Sequence, residues 1–177
     1  MGQNKGYLTA KTDKASDEYY TPTNAITPLL KYISKSDIIW CPFDKETSKY
    51  VQTFLQNGNQ VIYSHIDNGE NFFYYSPENY DIIISNPPFS CKDEILKRLE
   101  ELKKPYALLF PLPTLQGQKR FPYLKGKQAL IFDKRVNFYQ DEDYTKIVKG
   151  VSFASIYICN NFLPKDLIFE ELPNDCK

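Results

Sequence analysis

The sequence predicts one α/β domain, Rossmann-like in layout: a central, mostly parallel sheet with helices on both faces and antiparallel strands toward its C-terminal side. Three observations carry this. Short β-branched or apolar runs bounded by turn residues recur at Asp37–Cys41 (DIIWC), Gln60–Ser64 (QVIYS), Ile82–Ser85 (IIIS) and Tyr106–Phe110 (YALLF). Such runs suit strands buried on both sides. Amphipathic segments at Glu46–Gln56 and Lys92–Lys104 lie between them, and strand–helix–strand with a short return is a right-handed βαβ unit. After residue 128 the pattern changes to alternation of apolar and polar residues, as strands in mixed or antiparallel pairing show.

Taken in order, residues 1–16 are polar, contain glycine and lack an apolar period, so they read as a flexible arm before a domain over 17–177. Thr23–Ser34 places Ile26, Leu29, Leu30 and Ile33 on one face of a helix, capped by Thr21 or Thr23 with Pro22 at its start. Pro28 inside it predicts a kink or a later start. The first strand, DIIWC, runs into Cys41-Pro42-Phe43-Asp44-Lys45-Glu46-Thr47. The helix that follows turns Val51, Phe54 and Leu55 inward, and Asn57-Gly58 supplies a left-handed cap. The second strand, QVIYS, ends at His65, with Asp67 two residues on. An acidic residue at that position holds ribose hydroxyls in Rossmann-like folds, which favours Asp67. His65, the one histidine, could take that role, but reads first as a polar loop residue.

The third strand stops at Asn86-Pro87-Pro88-Phe89, because neither proline can donate to a ladder. A stiff loop therefore projects an amide and an aromatic ring from the carboxyl end of a strand, the edge where open α/β sheets bind ligands. Beyond it, Lys92–Lys104 turns Ile95, Leu96, Leu99 and Leu102 inward and ends at Pro105. YALLF is the next strand, and Pro111–Gly117 leaves the same sheet edge. Ala129–Asp133, Arg135–Tyr139, Val151–Cys159 and Asp166–Leu172 read as strands, with residues 140–150 as a loop.

At 177 residues, 42% hydrophobic and 15% aromatic, the chain can build one core. Its formal net charge is zero, which excludes a global basic field; a phosphate-binding surface has to be local. The local excess lies in residues 119–149, with eight Lys/Arg against four Asp/Glu. Within it Gln118-Lys119-Arg120-Phe121 interleaves base and ring, a pattern that suits phosphates and stacked bases as well as an ordinary solvated loop. The four cysteines are scattered without CxxC spacing, so no metal site and no disulfide framework is expected, and a reducing cytoplasm is the default. No signal peptide is expected, and no apolar run is long enough to span a membrane.

The chemistry that fits Asn86 to Phe89 is methyl transfer to an exocyclic amine. The Asn86 side-chain oxygen and the Pro87 carbonyl can accept from such an amine and stabilise the positive charge that develops on it. Phe89 can stack on a base taken out of its helix. Read alone, the tetrapeptide is also an ordinary proline-stiffened turn. The NPPF motif resembles the catalytic motif of S-adenosylmethionine-dependent N6-adenine DNA methyltransferases of the small phage or mobile-element kind. Related motifs occur in RNA base and release-factor methyltransferases. Further segments resemble that family: Asp17-Glu18-Tyr19-Tyr20-Thr21-Pro22, Pro42-Phe43-Asp44, Gly69-Glu70-Asn71-Phe72-Phe73 and Arg135-Val136-Asn137-Phe138. Their order is that of family members without a separate recognition domain.

The resemblance implies the following roles. Asn86, Pro87, Pro88 and Phe89 are catalytic. Tyr20, Thr21 and Pro22 lie against the methionine end of the cofactor, and Pro42, Phe43 and Asp44 hold it, Asp44 through its ammonium. Asn71 and Phe72 contact the cofactor adenine, and Asp67 its ribose. Phe138 faces Phe89 across the flipped base. Apart from the resemblance, the local basic excess makes Lys119, Arg120 and Arg135 the residues expected on nucleic acid, DNA ahead of RNA. One departure stands out: the family's cofactor loop carries two glycines after the Pro-Phe, and this chain has none between Cys41 and Thr47. That departure supports an alternative, a methyltransferase-like binding protein that has lost catalysis and acts on a host protein or nucleic acid. An RNA base methyltransferase is the other alternative.

Overall fold

The computed structural model describes residues 19–148, 151 and 153–174. The expected arm over residues 1–16 lies outside the described residues.

Among the described residues, seven strands form one sheet in the order β2-β1-β3-β4-β6-β5-β7. They are β1 (Ile38–Cys41), β2 (Gln60–Tyr63), β3 (Ile82–Ser85), β4 (Tyr106–Pro111), β5 (Gln128–Phe132), β6 (Ser155–Asn160) and β7 (Leu167–Glu170). The pairs β1–β2, β1–β3, β3–β4 and β5–β7 are parallel. β6 alone runs against its neighbours, wedged between β4 and β5. The α/β layout is the one the sequence predicts, with the reversal confined to one C-terminal strand.

The inner strands β3, β4 and β6 are apolar on both faces, whereas the edge strands β2 and β7 have no fully buried residue. Ile82, Ile83, Ile84 and Ser85 are all buried, as a strand covered on both sides requires. Along β1, β3 and β4, alternate side chains feed two cores. Ile39, Cys41, Ile82, Ile84, Ala107 and Leu109 pack under the helical segments of residues 23–56. Trp40, Ile83, Tyr106, Leu108 and Phe110 pack on the other side, under α3 (Lys92–Leu102).

The helices end where the sequence punctuates them. α2 (Lys49–Gln56) starts at Ser48, whose hydroxyl accepts from the Val51 N–H at 3.3 Å, a standard N-cap. Gly58 follows it at φ +92° with open space around its Cβ position. Only the backbone angle demands glycine there, so Gly58→Ala is expected to cost about 1 kcal/mol in urea denaturation, with the slope unchanged. α3 closes on Lys103 in the left-handed region, and Pro105 prevents its return.

Two expectations need correction. The predicted helix over Thr23–Ser34 is α1 (Thr23–Ile26) followed by a 3₁₀ segment, Thr27–Tyr32. Neither Thr21 nor Thr23 caps it; Pro22 holds the N-cap position without a side-chain bond. Pro28 lacks the N–H that an α-helix would need there, which accounts for the change of helix type. Arg135–Tyr139 is not a strand. Its alternation is real, with Val136 and Phe138 buried and Arg135 and Asn137 exposed. Yet both edges of β5 are taken by β6 and β7, so the segment finds only isolated bridges from Tyr139 to Tyr20 and Ile147. Alternation says which side chains turn inward; it does not supply a ladder partner.

Candidate active site

The chain leaves β1 toward β2 on one side, then crosses back to β3 on the other. The strand order therefore reverses between β1 and β3, and a crevice opens at their carboxyl ends. A cavity of about 610 Å³ lies there, within the usual range for small-molecule sites.

Asp44 occupies the β1 side. Its N–H donates to the Ser64 carbonyl at 3.2 Å, and the Ser64 N–H donates to the Cys41 carbonyl at 3.1 Å. Trp40 Nε1 donates to Ser64 Oγ at 3.0 Å in the interior. The ends of β1 and β2 are thereby tied, and Pro42 and Phe43 aim the carboxylate across the crevice. The Ser85 hydroxyl, on the last residue of β3, donates to Asp44 Oδ2 at 2.5 Å. Burial pushes the Asp44 carboxyl up to about 6, against hydrogen bonds from Ser85 and Ser48 that favour its charged form. No salt bridge to Asp44 is found among the described residues, so the Ser85 and Ser48 hydroxyls are what stabilises its charge.

The missing glycines have a physical explanation. Among the described residues, left-handed backbone occurs at Lys103, Tyr144 and Asn161 and at Gly58, Gly69 and Gly126. None lies between Cys41 and Ser48. This loop follows a path that needs no glycine, and α2 begins only at Lys49. The backbone N–H of Lys49 donates to the Tyr144 hydroxyl at 3.0 Å, so a distant loop closes over the start of the helix.

That loop forms the rim. Lys45 Nζ contacts Asp67 Oδ2 and Glu142 Oε1, each at 3.0 Å. Hydrogen bonds to Asp67 first, and Glu142 second, raise the lysine pKa. The Tyr20 hydroxyl donates to the same Glu142 oxygen at 3.3 Å. His65 Nδ1 accepts from the Asp67 N–H at 3.2 Å. The bond from Lys45, followed by the neighbouring His65, holds Asp67 below its ordinary range. One wall is aromatic, with Phe72 at 4.8 Å from Phe43 and 5.6 Å from Trp40, ring centre to ring centre. Asn71 Oδ1 accepts from the Phe73 N–H at 3.0 Å, which leaves its second lone pair and its Nδ2 for a ligand.

Asn86 occupies the β3 side. Its Nδ2 donates to the Tyr19 carbonyl at 2.8 Å. A carbonyl cannot donate, so the amide cannot be flipped and the oxygen must point the other way. That oxygen has no partner and no solvent contact. An orphaned buried acceptor calls for an explanation.

The structure brings Tyr20, Thr21, Pro42, Phe43, Asp44, Asp67, Asn71 and Phe72 around the same cavity as Asn86, Pro87 and Pro88. Pro22 is buried beside it. Phe89 and Phe138 lie outside the cavity wall, in a ring cluster with Tyr19. The charged residues expected on nucleic acid, Lys119, Arg120 and Arg135, are not part of that cavity wall. Arg120 Nε binds Asp93 of α3 at 2.6 Å, and its Nη1 donates to the Gln116 carbonyl. Lys127 pairs with Glu100 of the same helix at 2.7 Å. Arg135 donates to the Val151 carbonyl at 3.3 Å, and Lys119 is exposed. Part of the local cationic excess is thus offset by acids on α3.

Sequence reasoning assigned no role here to Tyr19, Lys45, Ser48, Ser85, Glu142 or Tyr144. Ser85 carried a signal: it is the last strand residue before Asn86, facing away from its neighbour. Glu142 and Tyr144 carried none, being far along the chain in a loop without a motif.

The described residues contain no group of His, Cys, Asp and Glu able to hold a metal ion. None of their helices is long and apolar enough to cross a membrane. The sequence matches no family model and no curated protein. A dimethyladenosine transferase from Plasmodium falciparum is similar among solved structures, with a TM-score of 0.47 and 12% identity. The match covers 79% of this chain and 62% of that one, so the chain spans less than two thirds of that protein's length.

Proposed function

We propose that this chain is an S-adenosylmethionine-dependent methyltransferase acting on the exocyclic N6 amine of adenine in nucleic acid, DNA ahead of RNA. One observation supports this above the others. A buried carboxylate and an orphaned amide oxygen stand on opposite sides of the switch crevice, linked through Ser85.

The residues present fit the cofactor. Asp44 is a buried anion suited to an ammonium, the Phe43–Phe72 wall suits an adenine face, and Asp67 at the rim suits ribose hydroxyls. When bound, S-adenosylmethionine supplies an electrophilic methyl group on a sulfonium. The protein's task is then to make a delocalised amine nucleophilic. Asn86 Oδ1 and the Pro87 carbonyl accept its two N–H bonds and hold the nitrogen pyramidal, with its lone pair free. As positive charge develops, both oxygens interact with it more strongly than with the neutral amine, which is the condition for catalysis. The extra proton leaves to solvent after transfer, so no strong base is needed. His65, engaged with Asp67, is not required for one.

The test is calorimetry with S-adenosylmethionine, followed by tritium transfer to an adenine-containing DNA strand in competition with RNA of the same sequence. Cofactor binding and label in DNA are expected. Label in RNA alone would redirect the substrate assignment and leave the chemistry intact. Absence of cofactor binding would sink the enzyme reading and favour the methyltransferase-like binding protein.

A further inference from the structure

The cavity reaches Tyr19, Asn86, Pro87 and Pro88, but its wall does not include Phe89, Phe138 or Phe153. Those three rings form a cluster of their own. Phe89 lies 5.5 Å from Phe153, and Phe138 lies 6.2 Å from Phe153. The ring packed against all three is Tyr19. It sits 6.0 Å from Phe89 at an interplanar angle of 25°, 5.5 Å from Phe138 and 5.7 Å from Phe153. Its backbone carbonyl takes the Nδ2 bond of Asn86. The oxygen of that same amide is sealed from solvent with no partner. An amine can reach this oxygen only after something beside it moves, and Tyr19 is the residue attached to both the amide and the Phe89 face.

We propose that Tyr19 stands in the acceptor slot of the ligand-free protein and is exchanged for the incoming base. The slot takes a planar, uncharged aromatic amine: three apolar rings line it, and the neutral Asn86 amide lies at its end. The exchange replaces one stacked ring by another. The slot therefore stays dry while empty of substrate, and the acceptor oxygen is kept from water. An acceptor binds only the fraction of molecules with Tyr19 displaced, which weakens its apparent affinity by that fraction. This inference rests on the methyltransferase reading of the site.

Two variants test it. Tyr19→Ala is expected to tighten binding of a fluorescein-labelled single strand containing one adenine by about tenfold, read by anisotropy; an all-thymine strand should show no change. Phe89→Ala is expected to weaken binding of the adenine strand. Parallel weakening in both variants would make Tyr19 a wall of the slot and overturn the proposal. A further variant is Tyr19→Trp, against the constant background of Trp40, the one native tryptophan, which is fully buried. The emission of the introduced indole should move to longer wavelength, and acrylamide should quench it, when the adenine strand is added. Methyl transfer by the wild type, with the emission of the Tyr19→Trp variant unmoved, overturns the exchange and leaves the methyltransferase reading standing. Emission that shifts in a protein unable to transfer methyl upholds the slot and overturns that reading. No transfer, with no strand bound by any variant, overturns both.

Discussion

Asn86→Ala is expected to lower the rate of methyl transfer by roughly 10²- to 10³-fold, the usual effect of removing one oriented group that stabilises developing charge. S-adenosylmethionine affinity should stay within about twofold, since the proposed function gives the Asn86 oxygen to the acceptor amine and Asp44 to the cationic end of the cofactor. The argument is geometric. The Nδ2–Tyr19 bond fixes the amide, so its oxygen is already aimed before substrate arrives and needs no reorganisation in the transition state. Asn86→Asp separates orientation from charge. The carboxylate keeps an acceptor but loses the donor to Tyr19, and two oxygens then face each other. This variant should retain more activity than alanine yet less than wild type, with a raised KM for the acceptor. Measurement is by tritium transfer for kcat and KM, with calorimetry for the cofactor. Wild-type turnover in Asn86→Ala would remove the amide from the mechanism.

The arrangement behind that prediction was legible in part. β1, β3, β4 and α3 were readable because a strand buried on both faces leaves an uninterrupted apolar run, and a one-sided helix leaves a 3.6-residue period. The junctions Asp44 and Asn86 were readable because proline stops strands at known places. Three things were not. Whether Arg135–Tyr139 joins the sheet depends on vacant strand edges, a property of the assembled sheet. Whether the loop after β1 needs glycine depends on its backbone angles, and none of them is left-handed. The roof of the site comes from Glu142 and Tyr144, about a hundred residues from the α2 N-terminus and Lys45 that they touch. No spacing rule reaches that far. Tyr19 lay within a recognised string, yet nothing local marks it apart from Tyr20.

Asp44→Asn is expected to make the protein more stable and a poorer cofactor binder at once. Burial raises the Asp44 carboxyl from 3.8 to about 6. A carboxyl raised in this way binds its proton more tightly in the folded state, so the charged form weighs against folding. That penalty is absent below about pH 3.8, grows as pH rises toward 6, and is complete above it, where it amounts to about 3 kcal/mol. The amide carries no such charge and can still exchange hydrogen bonds with the Ser85 and Ser48 hydroxyls. Asp44→Asn should therefore gain up to about 3 kcal/mol in urea denaturation at pH 7, and the gain should vanish by about pH 4. The same charge is what an ammonium would recognise. Its loss should weaken S-adenosylmethionine binding by roughly 10- to 100-fold, the scale of a hydrogen bond to a charged group. In the wild type, protons compete with the ammonium for Asp44, so affinity should fall about fivefold between pH 6 and pH 5 and depend less on pH above 6. Calorimetry near pH 6 in two buffers of different ionisation enthalpy should show proton release on binding, absent in Asp44→Asn. A variant that binds S-adenosylmethionine as tightly as wild type would remove the Asp44 carboxylate from cofactor binding, and the destabilising charge would then have no ligand to account for it.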